Sequence, residues 1–77
     1  MSKFADKVET ELKYARDQHG KITGAHDAYG RLLEEVDEFW EEVKKRKLFR
    51  NPDRMLDELV QIGAMAQRAA EDLALIK

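Results

Sequence analysis

The chain has 77 residues, no cysteine and a formal net charge of −2. This length allows one small domain, which buries only about 60% of the surface that its unfolded chain exposes. The absence of cysteine excludes disulfides and thiolate metal sites, so stabilisation must come from self-association or from a metal held by oxygen ligands. The near-neutral charge argues against a nucleic-acid partner, and no apolar run approaches the roughly 20 residues of a membrane span. With no signal peptide at the start, we expect a cytoplasmic protein with no membrane partner.

The first predicted helix covers about residues 3–18. Phe4, Val8, Leu12 and Ala15 follow a 4-4-3 spacing, which places them along one face of a helix. Ser2 is suited to cap its start. Gly20 is suited to end it in the left-handed conformation that often follows a helix.

The second predicted helix covers about residues 24–47, with Thr23 as its cap. Gly30 lies inside it and would permit a close approach of another helix. Trp40 lies on its apolar arc, where packing in the core or in an interface is the favoured interpretation and base stacking the minor one. The apolar arc spans about 120° of this helix. It contains Leu32, Leu33, Val36, Phe39, Trp40 and Val43.

The third predicted helix covers about residues 52–75. The run Asn51-Pro52-Asp53 gives a capping side chain, a proline at the first helical position and an acid in the first turn. The apolar arc of this helix is roughly 200° wide, which is more than one neighbouring helix can cover. We therefore expect residues 1–77 to form a single all-α domain that assembles into an oligomeric helical bundle, as a dimer or a tetramer.

The second helix also carries six carboxylates between positions 34 and 42. A solvated acidic face explains half of them, namely Glu34, Asp37 and Glu41. The other half share the flank next to the apolar arc, where their oxygens can converge on a hard cation such as Mg²⁺. These are Glu35, Glu38 and Glu42.

Glu58 lies inside the apolar arc of the third helix. A buried carboxylate needs a partner, which is either a metal or a basic side chain such as Arg54 or Arg31. Both alternatives are open from the sequence. Gln61, one turn further along, borders the same flank and can add an amide oxygen.

Two segments carry a family resemblance. The stretch from Leu32 to Trp40 (LLEEVDEFW) and the stretch from Leu56 to Ala66 (LDELVQIGAMA) resemble the MazG-like all-α nucleoside triphosphate pyrophosphohydrolases. The family pattern is E-E-x-x-E on one helix and E-x-x-D on the next. Glu34, Glu35 and Glu38 match its first half. The run AHDAY at 25–29 is similar to small phage-type relatives.

The resemblance implies a MazG-like bundle that hydrolyses (deoxy)nucleoside triphosphates to monophosphate and pyrophosphate. It implies Mg²⁺, or alternatively Mn²⁺, held by Glu35, Glu38, Glu58 and Gln61. The three glutamates would be the catalytic residues, and Glu34 would assist in cofactor binding. Basic residues would neutralise the phosphates. Lys44 and Lys45 are candidates, although interaction with the helix C-terminus and with solvent is the favoured interpretation of both.

One position departs from the family pattern, because Gln61 stands where the family has its second-helix Asp. An amide oxygen can bind Mg²⁺ but brings no charge, so weaker metal binding is expected. The competing hypothesis is a non-catalytic helical interaction module that keeps the bundle without turnover.

Overall fold

A computed structural model describes residues 3–76. They form three helices, α1 (Lys3–Gln18), α2 (Ala25–Val43) and α3 (Pro52–Asp72), with a single 3₁₀ turn at Lys47–Phe49 and no strand. The predicted all-α class and the bounds of the first helix are confirmed. The proposed cap Ser2 lies outside the described residues.

Helix α3 lies between the other two helices. It packs against α1 on one side and α2 on the other, while α1 and α2 make no close backbone approach to each other within residues 3–76. Each interface has its own small core. The first contains Val8, Leu12, Val60 and Ala64. The second contains Ile22, Ala28 and Met65, with Leu32, Ala69 and Leu73 packed against it. The broad apolar arc of α3 therefore packs against two helices of the same chain, in agreement with the prediction that one neighbour is not enough to cover it.

Helix α1 approaches α3 closely at Gly63. A Cβ atom at this position would lie 3.1 Å from Cγ2 of Val8 and 3.5 Å from the ring of Phe4. The absence of a side chain thus lets α1 approach α3. Gly30 has nothing within 4 Å of a Cβ built on it, so no helix of the same chain within residues 3–76 approaches closely there.

The start of α2 differs from its prediction. Gly24, not Thr23, is the N-cap, and no side chain caps the helix there. The backbone N–H of Thr23 instead donates to Oδ2 of Asp27 at 3.5 Å, because the acid in the first turn is within reach of the chain before the helix. No glycine among residues 3–76 has a positive φ, so the left-handed cap predicted at Gly20 was also wrong.

Helix α2 ends at Val43, four residues before the predicted position 47. Just after this end, Nε of Arg50 donates to the carbonyl oxygens of Val43 (2.9 Å) and Lys45 (3.1 Å). These bonds satisfy carbonyl groups that the end of a helix leaves free. The run of basic residues at 44–47 also repels itself, which disfavours its continuation as a helix.

The start of α3 confirms the capping prediction. Oδ1 of Asn51 accepts from the backbone N–H groups of Asp53 (2.9 Å) and Arg54 (3.2 Å). The helix ends at Asp72 instead of at about 75. Ala74 adopts a positive φ of 56°, and the N–H of Leu75 donates to the carbonyl of Ala70, a geometry that terminates helices.

An apolar face of α2 remains exposed. Tyr29, Leu33, Val36 and Trp40 follow a 4-3-4 spacing, so they lie along one side of the helix. Trp40 is 55% exposed, which contradicts core packing and leaves an interface as the favoured prediction and base stacking as the minor one. Among the described residues, no helix combines the length and the apolar character needed to cross a membrane.

Candidate metal centre

The α2–α3 interface brings three glutamates together. Glu35 continues the stripe of Ala28 and Leu32 along the face of α2 that packs on α3, and Glu58 lies seven residues before Met65 on the opposing face. Glu38 follows one turn after Glu35. One carboxylate oxygen from each glutamate lies within 4.8 Å of those of the other two. The structure therefore assembles the Glu35, Glu38 and Glu58 set that the sequence predicted.

Two of these carboxylates hold buried oxygen atoms without a partner. Oε2 of Glu35 and Oε2 of Glu58 are inaccessible to solvent and accept no hydrogen bond. A buried polar atom without a partner costs about 1–3 kcal/mol, and more when it is charged. A cation bound between the carboxylates would give these two oxygens a partner.

The pKa values of the clustered glutamates reflect their burial and their mutual repulsion. Burial, followed by the neighbouring charge of Glu38, raises the pKa of Glu35 to about 7. Burial also raises the pKa of Glu58, again with Glu38 contributing, while the nearby charge of Arg54 opposes the shift. Both shifts have the direction expected for carboxylates that share a site with like charges and no counter-ion.

The structure also bears on the alternative of an ion pair for Glu58. Within residues 3–76, no basic group lies within 4.0 Å of its carboxylate; Arg31 pairs instead with Asp27 at 2.9 Å. Arg54 contributes only a longer-range attraction. Neither candidate partner forms an ion pair with Glu58. Its carboxylate therefore faces other carboxylates.

Glu42 does not join the centre, although the sequence placed it on the same flank. Its side chain is buried, with Oε2 bonded to Nζ of Lys45 (2.9 Å) and Oε1 to the backbone N–H of Asn51 (3.1 Å). These bonds hold the pKa of Glu42 below its usual value. Glu42 thus connects the end of α2 to the start of α3, which is a structural role.

The two lysines proposed as phosphate partners are both in local ion pairs. Lys44 contacts Glu41 at 2.6 Å, and Lys45 contacts Glu42 at 2.9 Å. Both lie at the C-terminal end of α2. Their role toward phosphate stays a prediction, and reaching a substrate would require them to leave these partners.

Gln61 and Glu34 lie on the wall of a cleft next to the cluster of Glu35, Glu38 and Glu58. The cleft has a volume of about 180 Å³ and is open between α1 and α2, with α3 as its floor. Glu35 belongs both to this cleft and to the carboxylate cluster. All three helices line the cleft, and α1 and α2 make no close backbone approach to each other within residues 3–76.

Sequence reasoning missed a buried guanidinium in this cleft. Arg68 is 4% exposed, lines the cleft and donates from Nη2 to the carbonyl of Gly20. Its Nε lies 3.9 Å from Oδ2 of Asp72 and makes no hydrogen bond. A signal was present, because Arg68 is three residues after Met65 and four after Ala64, which places a charge on the buried face of α3.

The donor set fits a hard divalent cation. Mg²⁺ prefers carboxylate oxygens in an octahedron and commonly retains waters, so three glutamates leave positions for water and for phosphate oxygens. Soft metals prefer sulfur or nitrogen ligands, and the cluster contains neither.

Comparisons with models of protein families, with curated proteins and with solved structures found no match to this chain. The MazG-like resemblance therefore rests on the residues themselves.

Proposed function

We propose that this chain binds Mg²⁺ through Glu35, Glu38 and Glu58 and hydrolyses (deoxy)nucleoside triphosphates to monophosphate and pyrophosphate. The observation that carries the proposal is the convergence of three carboxylates with two buried, unpartnered oxygens at the α2–α3 interface. A cation there offsets the mutual repulsion of the glutamates. The resemblance to the E-E-x-x-E and E-x-x-D pattern supplies the reaction.

The three glutamates have different surroundings in the proposed site. Glu35 and Glu58 are half-buried between helices, so packing restricts where their oxygens point, whereas Glu38 is exposed to solvent. When bound, Mg²⁺ would polarise phosphoryl oxygens and lower the pKa of an attacking water. The proteinʼs own contribution is to hold the three carboxylates at one point before the substrate arrives.

We also propose a homo-oligomer formed through the exposed apolar face of α2. Tyr29, Leu33, Val36 and Trp40 are between 41% and 67% exposed. Their 4-3-4 spacing is the one that lets helices pack side by side. Sedimentation velocity over a wide concentration range tests this, since a chain that remains monomeric at high concentration contradicts it.

The hydrolysis proposal is tested by measuring pyrophosphate release from a panel of nucleoside triphosphates with Mg²⁺. Glu38→Gln and Glu58→Gln are expected to reduce release by more than about 100-fold, because losing a residue that merely supports a metal ligand already costs about 10- to 100-fold. Asp37→Asn is the matched control, since it removes the same charge from α2 outside the cluster.

Circular dichroism of each variant shows whether the helices persist. Release that survives in both Glu38→Gln and Glu58→Gln would falsify the site assignment. Release that falls equally in Asp37→Asn would point to a general effect of charge.

The second candidate function is a non-catalytic interaction module. The exposed α2 face favours it, as does Gln61 in place of a charged ligand. Calorimetric titration separates the two functions. Saturable binding of Mg²⁺ that is lost in Glu58→Gln supports the metal site, and the absence of any Mg²⁺ binding supports the module.

A further inference from the structure

The cleft between α1 and α2 is positioned to receive part of any molecule that is held at the metal centre. Glu35 belongs to both, so the two sites are adjacent through a single side chain. Gln61 lies one turn after Glu58 on α3 and also lines the cleft. A substrate whose phosphates contact the metal centre therefore has this cleft beside it.

The cleft is the size of a single ring system. Its volume is about 180 Å³, and a cavity of roughly 150 Å³ is large enough to bind benzene. Sites for whole drug-sized ligands are larger, at roughly 300–1,000 Å³. A complete nucleotide would not fit, but one ring would.

The walls combine apolar surface with a few polar groups, as ligand pockets do. Ala15, Ala64 and Met65 supply the apolar part, and Tyr14 adds an aromatic ring. Gln61 supplies an amide, which both donates and accepts hydrogen bonds.

The charges of the cleft favour a neutral ligand over a phosphate. Three carboxylates line it, among them Glu34 and Glu35, against two guanidiniums. One guanidinium, that of Arg31, is already bonded to Asp27. The cleft therefore has no excess of positive charge to attract an anion.

The second guanidinium, that of Arg68, is also engaged. Arg68 is 4% exposed, its Nη2 donates to the carbonyl of Gly20, and its Nε lies 3.9 Å from Oδ2 of Asp72. Both guanidiniums of the cleft therefore already interact with groups of the chain, which again favours a neutral ligand over an anion.

From these observations we infer that the cleft binds the base of a nucleotide and that Gln61 reads this base through its amide instead of ligating the metal. The inference rests on the proposed function for the nucleotide itself. The inference gives a role to Gln61, which stands where the family pattern has an Asp. An amide can recognise the edge of a base, whereas an Asp at this position would add another like charge to the site.

The kinetic test compares Gln61→Ala with the wild-type chain across the four common deoxynucleoside triphosphates. We expect KM for the preferred substrate to rise about tenfold, because up to two neutral hydrogen bonds are lost. We expect kcat and the dissociation constant for Mg²⁺ to change by less than about twofold to threefold, and the preference among bases to diminish. Gln67→Ala is the matched control, since it removes an amide from the same helix at a residue bonded to Glu71.

The opposite pattern overturns the inference. If Gln61 is a metal ligand, Gln61→Ala weakens Mg²⁺ binding and lowers activity by the same factor for every base.

A measurement without metal or hydrolysis separates this inference from the proposed function. The side-chain amide of Gln61, assigned by its absence from the Gln61→Ala spectrum, is followed by NMR while nucleosides are added in EDTA. A selective shift with one class of base supports the cleft assignment even if the chain hydrolyses nothing. If no nucleoside shifts this signal at millimolar concentration, the inference fails even where pyrophosphate release is observed.

Discussion

Two groups of carboxylates lie along α3, and they differ in whether they are paired with hydrogen-bond donors and positive charges. At the C-terminal end, Asp72 accepts from Nη1 of Arg16 (2.8 Å) and from the backbone N–H of Ile22 (2.9 Å), with Arg68 close by. Toward the N-terminal end, Glu58 faces Glu35 and Glu38, and no basic side chain of residues 3–76 lies within 4.0 Å of its carboxylate, Arg54 acting only at longer range.

The pKa values follow this difference. The backbone N–H of Ile22 and the guanidinium of Arg16 hold the pKa of Asp72 below its ordinary value. Burial and neighbouring acids raise the pKa values of Glu35 and Glu58. Asp72 therefore stabilises the fold as a carboxylate, whereas the glutamate cluster opposes folding in its charged form. Residues that reduce stability in this way are characteristic of functional sites.

The largest expected effect is the loss of stability in Asp72→Ala. The Asp72 side chain is 4% exposed, and its removal leaves the buried Arg68 guanidinium and the N–H of Ile22 without their partner. Breaking a buried pair costs about 3 kcal/mol or more. For a domain of this size, that corresponds to a fall in Tm of roughly 12–24 °C.

Urea denaturation followed by circular dichroism measures this loss. Glu71→Ala is the control, because it removes a carboxylate that contacts the same Arg16 at the exposed edge of the network, and its loss should be much smaller. Equal losses in the two variants would mean that burial of Asp72 is not the cause.

The second expected effect is a gain in stability. In EDTA, Glu58→Gln should raise Tm by a few degrees, because it removes a charge from a cluster of like charges while it keeps the shape of the side chain. Mg²⁺ should stabilise the wild-type chain and not the variant, since binding to the native state alone raises stability. Thermal melts with and without Mg²⁺ measure both changes. A lower Tm for Glu58→Gln in EDTA would show that Glu58 is a structural residue like Asp72.

The smallest expected effect is a pH dependence that differs between the two regions. The folded-state pKa of Glu35, about 7, is above its ordinary 4.5, so its stabilising contribution is complete below pH 4.5 and is lost as the pH rises through about 7. The pKa of Asp72 is lowered from 3.8, so its contribution is present above that value and is lost as the pH falls through the lowered pKa.

Urea unfolding in EDTA from pH 4 to 8 checks this prediction through the difference between the wild-type chain and Glu35→Gln. The wild-type chain should lose stability relative to the variant between about pH 4.5 and 7. A constant difference across this range would show that Glu35 titrates as an ordinary exposed glutamate.

Much of the candidate site followed from the sequence because it depends on short-range spacing. Glu35 and Glu38 are separated by one turn of a helix, and Glu58 falls on the apolar arc of the next one, so a short connection suffices to bring them together. Glu42 shows where this reasoning ends. It occupies the same flank as the other two, but Lys45 and the N–H of Asn51 take both of its oxygens at the turn between the helices.

The sequence by itself determined the three helices and the start of α3, because apolar periodicity and the Asn51 cap act within a few residues. Only the tertiary structure decided which charges have partners. Arg16 and Asp72 are 56 residues apart and Arg68 and Gly20 are 48 apart, so their contacts depend on how α1 and the loop that follows it lie against α3. The same packing separates α1 from α2 and opens the cleft beside Glu35, which spacing along any one helix does not reveal.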